Sequence, residues 1–225
     1  MPARAETDAM NAPAPKPAAK QPKKRRTRIQ AINRQIILDA ALEVFSTYGY
    51  RGSTIDQIAE KSGMSKPNLL YYFRRKEDIY LSVLETTLAT WLEPLDRLDA
   101  DGDPIEEISK YIRLKLEMAR EMPLQSRLFA NEILHGAPAI GEFLRGPLKE
   151  LVEAKSKVIR RWVAEGRLAQ IDPVHLIFMI WATTQHYADF DVQVRAVLGE
   201  AGEADLISVA EKTVMTIFRN GLRPQ

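Results

Sequence analysis

The 225-residue sequence has no cysteine. This excludes a disulfide scaffold, a thiolate metal site and a thiol redox sensor, and it suits a reducing cytosol. Long apolar runs are missing too. The longest, Leu176 to Ala182, is seven residues, well short of the ~20 that cross a bilayer as a helix. The N-terminus lacks the apolar segment of a secretory signal. No stretch alternates with period two over strand length, and no internal repeat is visible. A soluble, cytoplasmic protein without membrane association is therefore expected. Apolar residues still make up 45% of the chain, enough to build a real core.

Overall charge is nearly balanced at +2, yet its distribution is uneven. Residues 1–76 hold 15 Lys/Arg against 6 Asp/Glu, and the remainder hold 17 against 24. A basic front can meet a polyanion, whereas an acidic rear repels one. Residues 1–28 are rich in Ala, Pro and Lys, end in KKRRTR, and carry too few large apolar groups for a core. They are expected to form a disordered basic arm, either a solvated tail or an arm reaching the minor groove of DNA.

Beyond the arm, the pattern is helical. Ile29, Ile32, Ile36, Ile37, Ala40, Ala41, Val44, Phe45 and Tyr48 recur at helical spacing before Gly49. Thr54 with Gln57 fits a capping box that opens a short helix to about Lys61. After the Ser62-Gly63 turn, Ser65 caps a second short helix with Pro67 in its first turn. A longer helix runs from Lys76 to about Leu98. Further helices are expected over 104–121, 123–134, 138–165, 173–198 and 203–221, separated by Pro and Gly.

Sites that need fixed spacing fail on inspection. Asp99, Asp101 and Asp103 resemble the start of a calcium loop, but its sixth and twelfth positions are Pro104 and Lys110 rather than Gly and Glu. Gly136, Gly141 and Gly146 are not followed by Lys-Ser/Thr. His135, His175 and His186 lack zinc spacing, and no nucleophile triad or carboxylate pair stands out. No catalytic residue, metal ligand or cofactor is expected, and enzyme function ranks last.

Two short helices joined by a four-residue turn and packed on a longer one describe a helix-turn-helix, whose second helix enters the major groove. At about 100° per residue, Leu69, Leu70 and Phe73 share one arc, facing Phe45, Ile58 and Met64. Pro67, Asn68 and Tyr71 take the opposite arc, with Lys66 and Tyr72 at the boundary. Asn68 can read adenine bidentately. Thr54, Lys66 and Tyr71 suit phosphate oxygens, as does Lys76 at the next helix start, and Ser65 and Tyr72 are further candidates for DNA contact. A core role stays open for Tyr71 and Tyr72.

The stretch TIDQIAEKSGMSKPNLLYYFRRKEDIY resembles the DNA-binding head of TetR-type transcriptional regulators. One departure is Arg75, where that family usually carries a capping Ser. The resemblance implies an all-α homodimer on palindromic operator DNA. A helix-turn-helix domain spans 29–75, and an effector-binding and dimerisation domain spans 76–225.

For the rear, Trp181, Gln185 and Asp189 recur every fourth residue in PVHLIFMIWATTQHYADFDVQV. With Trp91 and Phe129 they suggest a pocket of aromatic walls and few polar groups. An indole face can stack, and the Gln185 carboxamide offers a donor beside an acceptor, which suits a flat polar heterocycle. Core or dimer-seam roles remain open for each residue. EISKYIRLKLEMAR, SRLFANEIL, HLIFMIWATTQHYADFDVQV and the closing GLRP are similar to the Rut-type, pyrimidine-utilisation branch of the same family. That likeness implies uracil or thymine as effector and control of pyrimidine breakdown genes. The expected protein is thus a repressor released from DNA by a pyrimidine. A sensor of another planar heterocycle and a ligand-insensitive DNA-docking protein are the alternatives.

Overall fold

Helix starts and stops follow the caps that the sequence offers. The computed structural model describes residues 23–199 and 206–224, and every regular element among them is helical. The first helix, α1 (Lys23–Gly52), starts earlier than expected. Residues 23–28 continue it rather than belonging to an irregular arm, since Lys and Arg are good helix formers and nothing in KKRRTR breaks a helix. Residues 1–22 of the expected arm lie outside the described residues. Near its end α1 is interrupted at Gly49, at φ 68° and ψ 171°, a conformation that residues with a Cβ rarely adopt.

Next come α2 (Ile55–Lys61), α3 (Lys66–Tyr72) and α4 (Lys76–Asp96). Thr54 and Gln57 complete the reciprocal box: the Thr54 hydroxyl accepts from the Gln57 amide at 3.2 Å, and Gln57 Oε1 accepts from the Thr54 amide at 2.8 Å. Ser65 accepts from the Asn68 amide at 3.4 Å. At Arg75, where a hydroxyl cap is missing, Asp78 compensates. Its carboxylate accepts from the Arg75 amide at 3.1 Å and from the guanidinium at 2.8 Å. The bond to Arg75 holds the Asp78 carboxyl below its usual range.

The rear contains α5 (Pro104–Glu121), α6 (Pro123–Leu134), the single turn α7 (Gly141–Phe143), α8 (Lys149–Ala164), α9 (Pro173–Asp189), α10 (Asp191–Leu198) and α11 (Leu206–Leu222). The acidic loop before α5 is a cap: Asp103 accepts from the Glu106 amide at 2.9 Å. Trp162 and Arg167 then fasten the same loop through the carbonyls of Ala100 and Gly102. Two expected helices are interrupted. Between α7 and α8, Leu144–Leu148 form a π-helical turn around Pro147, whose missing N–H disturbs the regular ladder. Between α9 and α10, Phe190 leaves the helical region at φ −114° and ψ 29°, next to Asp189, which accepts a hydrogen bond from Ser126 of α6.

Two apolar clusters hold these helices together. The rear cluster gathers Ile108, Ile112, Trp162, Leu176, Ile180 and Phe218. The front cluster gathers Ile37, Phe45, Ile58, Leu69, Ile79 and Leu84, and it also takes in Leu128 of α6 and Ile140. The helical head therefore does not end at residue 75. Its core continues through the first half of α4 onto α6, which packs against α1. Ile29, Ile32, Ile36 and Tyr48, expected on the apolar face of α1, are exposed. The core reaches α1 only from Ile37 onward.

Candidate functional site

The head presents a small polar surface built on α3. Leu69 and Phe73 are buried in the front cluster, while Pro67, Asn68 and Tyr71 face outward, Tyr71 with 65% of its surface exposed. Leu70 is half-buried and lies outside the cluster, whereas Tyr72 packs against it. The tyrosine pair is set by α1. The Tyr72 hydroxyl accepts from Asn33 Nδ2 at 2.8 Å, the Tyr71 hydroxyl accepts from Gln30 Nε2 at 3.4 Å, and the two rings meet edge to face at 5.2 Å. Lys66 reaches back to Asp56 of α2 at 2.9 Å. Such an exposed pair contributes little to stability, but it fixes the lysine beside the start of α3.

Lys76 occupies a different position from its expected phosphate contact. Its ammonium donates to the carbonyls of Tyr50 at 2.6 Å and Ser53 at 2.7 Å, and sits 4.4 Å from the centre of the Tyr50 ring. It thus closes the end of α1 at the Gly49 break, satisfying carbonyls that have no helical partner. Thr54 and Ser65 likewise spend their hydroxyls on helix caps. Side chains left free to meet a partner are those of Pro67, Asn68 and the outer edge of Tyr71, with Lys66 beside them.

In the rear, Trp91, Phe129, Trp181 and Gln185 line one cavity of about 290 Å³. They come from α4, α6 and α9 and are joined by Leu88, Ile133, Leu144 and Leu148. The Trp91 and Phe129 rings pack edge to face at 5.5 Å. Trp181 is fixed by its indole N–H, which donates to the Tyr111 hydroxyl at 2.6 Å. Burial holds that phenol protonated, raising its pKa well above the usual range. Leu144 and Leu148, four residues apart across the π-helical turn, share one face and both reach the wall.

Besides the aliphatic lining, the sequence reading missed a charged residue of the wall, Lys115 of α5. Ile108, Tyr111, Ile112, Lys115 and Leu116 are all buried, at the i, i+3, i+4, i+7, i+8 spacing of a core-facing stripe. A lysine in that phase is the signal that identifies it. Burial lowers its amine to about 8, with Asp189 acting in the opposite sense.

Glu132 connects this cavity with the head. It is 4% exposed, accepts from the Tyr80 hydroxyl of α4 at 2.9 Å and from the Ala139 amide at 2.6 Å. Tyr80 in turn packs on Phe45 at 5.0 Å and on Tyr50 at 4.7 Å. On α6, then, Phe129 and Ile133 face the cavity while Leu128 and Glu132 face the head.

Comparison with known proteins covers both halves of the chain. Residues 37–83 match the family described as bacterial regulatory proteins, tetR family, and residues 84–225 match the family described as YcdC-like protein, C-terminal region. The HTH-type transcriptional regulator RutR of Escherichia coli (strain K12) is 48% identical over 202 residues, covering 89% of this chain and 95% of that protein. The HTH-type transcriptional repressor NicS of Pseudomonas putida is 31% identical over 103 residues, covering 45% and 49%. Among solved structures, the fatty acid degradation regulator FadR of Bacillus halodurans superposes with a TM-score of 0.62 at 19% identity, covering 92% of this chain and all of that one. AibR in complex with isovaleryl coenzyme A and operator DNA gives 0.57 at 18% identity, covering 69% and 85%. These two structures support the fold. Among the described residues, no helix is long and apolar enough to cross a membrane.

Proposed function

Because this chain belongs to the TetR family of bacterial regulatory proteins, we propose that it is a homodimeric repressor released from palindromic operator DNA by a pyrimidine such as uracil or thymine. The observation that supports the effector is the convergence of Trp91, Phe129, Trp181 and Gln185, from three separate helices, on one cavity. Its volume suits a single heterocyclic ring. Aromatic faces cover such a ring, and the Gln185 carboxamide matches the N–H/C=O edge of an imide.

In this reading Pro67, Asn68 and Tyr71 enter the major groove with Lys66 beside them. Thr54, Ser65, Tyr72 and Lys76 hold that surface in shape from the helix ends. Two copies place their α3 helices in successive grooves, roughly 34–36 Å apart. An effector contacting α4 and α6 favours an arrangement of the heads that misfits the operator, and DNA affinity falls by the ratio of effector affinities for the two arrangements.

The deciding experiment is release of operator DNA from the full-length protein on titration with uracil and thymine. No release, and no rise in melting temperature with either, points to a ligand-insensitive DNA-docking protein instead. Two variants test the site residues. Gln185→Ala is expected to weaken uracil binding by about tenfold or more in calorimetry, since an unpaired imide edge in a buried site costs about 1–3 kcal/mol. Asn68→Ala is expected to bind operator and scrambled DNA with more nearly equal affinity, losing about 1–3 kcal/mol of discrimination at one base pair at fixed salt. Unchanged preference removes Asn68 as a base reader.

A further inference from the structure

Lys115 is 4% exposed, and among the described residues its ammonium has no hydrogen-bond or ion-pair partner. It lines the cavity and lies 4.8 Å from the centre of the Trp91 ring. Asp189 of α9 is the carboxylate whose field reaches it, but that group accepts from Ser126 and is not in ion-pair contact with the lysine. The Trp91 indole Nε1 is also buried without a partner. A cation without a hydrogen-bond or ion-pair partner therefore borders a cavity whose other walls, Gln185 apart, are almost entirely apolar. Leaving a buried cation unpaired is costly, so such a group marks a site completed by a ligand.

We infer that Lys115 makes the cavity a receptor for planar weak acids, in which a ring oxygen carrying full or partial negative charge pairs with the lysine ammonium. This rests on the effector reading above and specifies its chemistry. Gln185 takes the adjacent N–H/C=O edge, and Trp91 and Phe129 cover the flat face. A neutral imide such as uracil fits as a weak member of the class, because its carbonyl oxygen is a partial charge only. A more acidic ring of the same size is a stronger one, since charge-assisted hydrogen bonds are roughly twice as strong as neutral ones. The lowered pKa of Lys115 gives the sign of the pH effect. For a ligand that is already anionic, pairing raises that pKa again, so affinity is full below about pH 8 and falls as the free lysine loses its proton above it.

The test is calorimetry on the full-length protein at pH 7 with uracil, 5-fluorouracil, barbituric acid and benzoate, the last a planar anion that is no pyrimidine. Affinity is expected to rise in the order uracil, 5-fluorouracil, barbituric acid, by about tenfold or more from first to last, and barbiturate affinity is expected to fall between pH 7 and pH 9. In Lys115→Met, a close match in length and apolar volume, the three pyrimidines are expected to converge in affinity. If that variant fails to fold, the order and the pH profile of the wild type decide alone. Equal affinities for the three rings in the wild type, or an order preserved in Lys115→Met, overturn the inference while leaving the pyrimidine reading intact. Binding of benzoate through Lys115 without binding of any pyrimidine supports the inference and overturns the pyrimidine reading. Absence of binding by both barbituric acid and benzoate removes Lys115 as an anion partner.

Discussion

Glu132→Ala is expected to destabilise the protein by about 3 kcal/mol. Two buried donors, the Tyr80 hydroxyl and the Ala139 amide, then lose their acceptor, at about 1–3 kcal/mol each. The space left by the side chain adds a smaller cavity penalty. At roughly 2–4 °C per kcal/mol for a chain of this size, the melting temperature is expected to drop by about 6–12 °C. Glu132→Gln keeps an acceptor but offers an N–H to one of the two donors, so about half that loss is expected. Burial and the bond to Glu132 hold the Tyr80 phenol well above its usual range, which keeps it a donor. Tyr80→Phe then separates two roles. It is expected to retain uracil affinity but to release operator DNA less completely, because α6 loses its polar link to α4. A melting temperature unchanged in Glu132→Ala shows that water can replace the carboxylate, and that the link carries no load.

The second large effect is expected at Leu69. Its side chain is fully buried between α3 and the front cluster, and truncation to alanine in a packed core costs about 2–5 kcal/mol. With α3 only seven residues long, this is enough to unseat it, so operator affinity is expected to fall by about a hundredfold or more. The cavity lies on the other side of α4 and α6, and calorimetry is expected to find uracil affinity within a few-fold of wild type. Leu70→Ala is the control. That side chain is half-buried and outside the cluster, and the expected loss is under about 1 kcal/mol. Operator affinity retained in Leu69→Ala contradicts the assignment of the inward face of α3.

Much of the head is legible from sequence because its signals are local. Thr54 with Gln57, and Ser65 with Pro67, specify two helix starts within a few residues each, and helical phase alone puts Leu69 and Phe73 inside. Leu70 is where phase misleads, because the burying neighbours cover a narrower arc than the apolar residues of α3 span. Lys76 looks like a cation for DNA until α1 supplies two open carbonyls at the Gly49 break, which no spacing in the sequence announces. The breaks at Pro147 and Phe190 are similar. The first shows as a proline whose effect depends on the turn it falls in. The second lies beside Asp189, whose bonding partner Ser126 is 63 positions away. In the cavity, Trp91, Phe129, Trp181 and Gln185 were recognisable as aromatics and an amide suited to a flat ring. Lys115 was not singled out, although its phase along α5 marks it as inward.

The two-faced arrangement of α6 has a thermodynamic consequence for how such a regulator reads concentration. If occupancy of the cavity lowers DNA affinity by some factor, the operator lowers affinity for the small molecule by the same factor. Protein already seated on its operator then needs more effector for half-saturation than protein free in solution, and excess free protein acts as a buffer that fills first. The threshold for induction depends on how many copies are unbound as well as on the affinity of the cavity. Weakening the Tyr80–Glu132 link narrows the gap between the two half-saturation points and leaves the tighter of them unchanged.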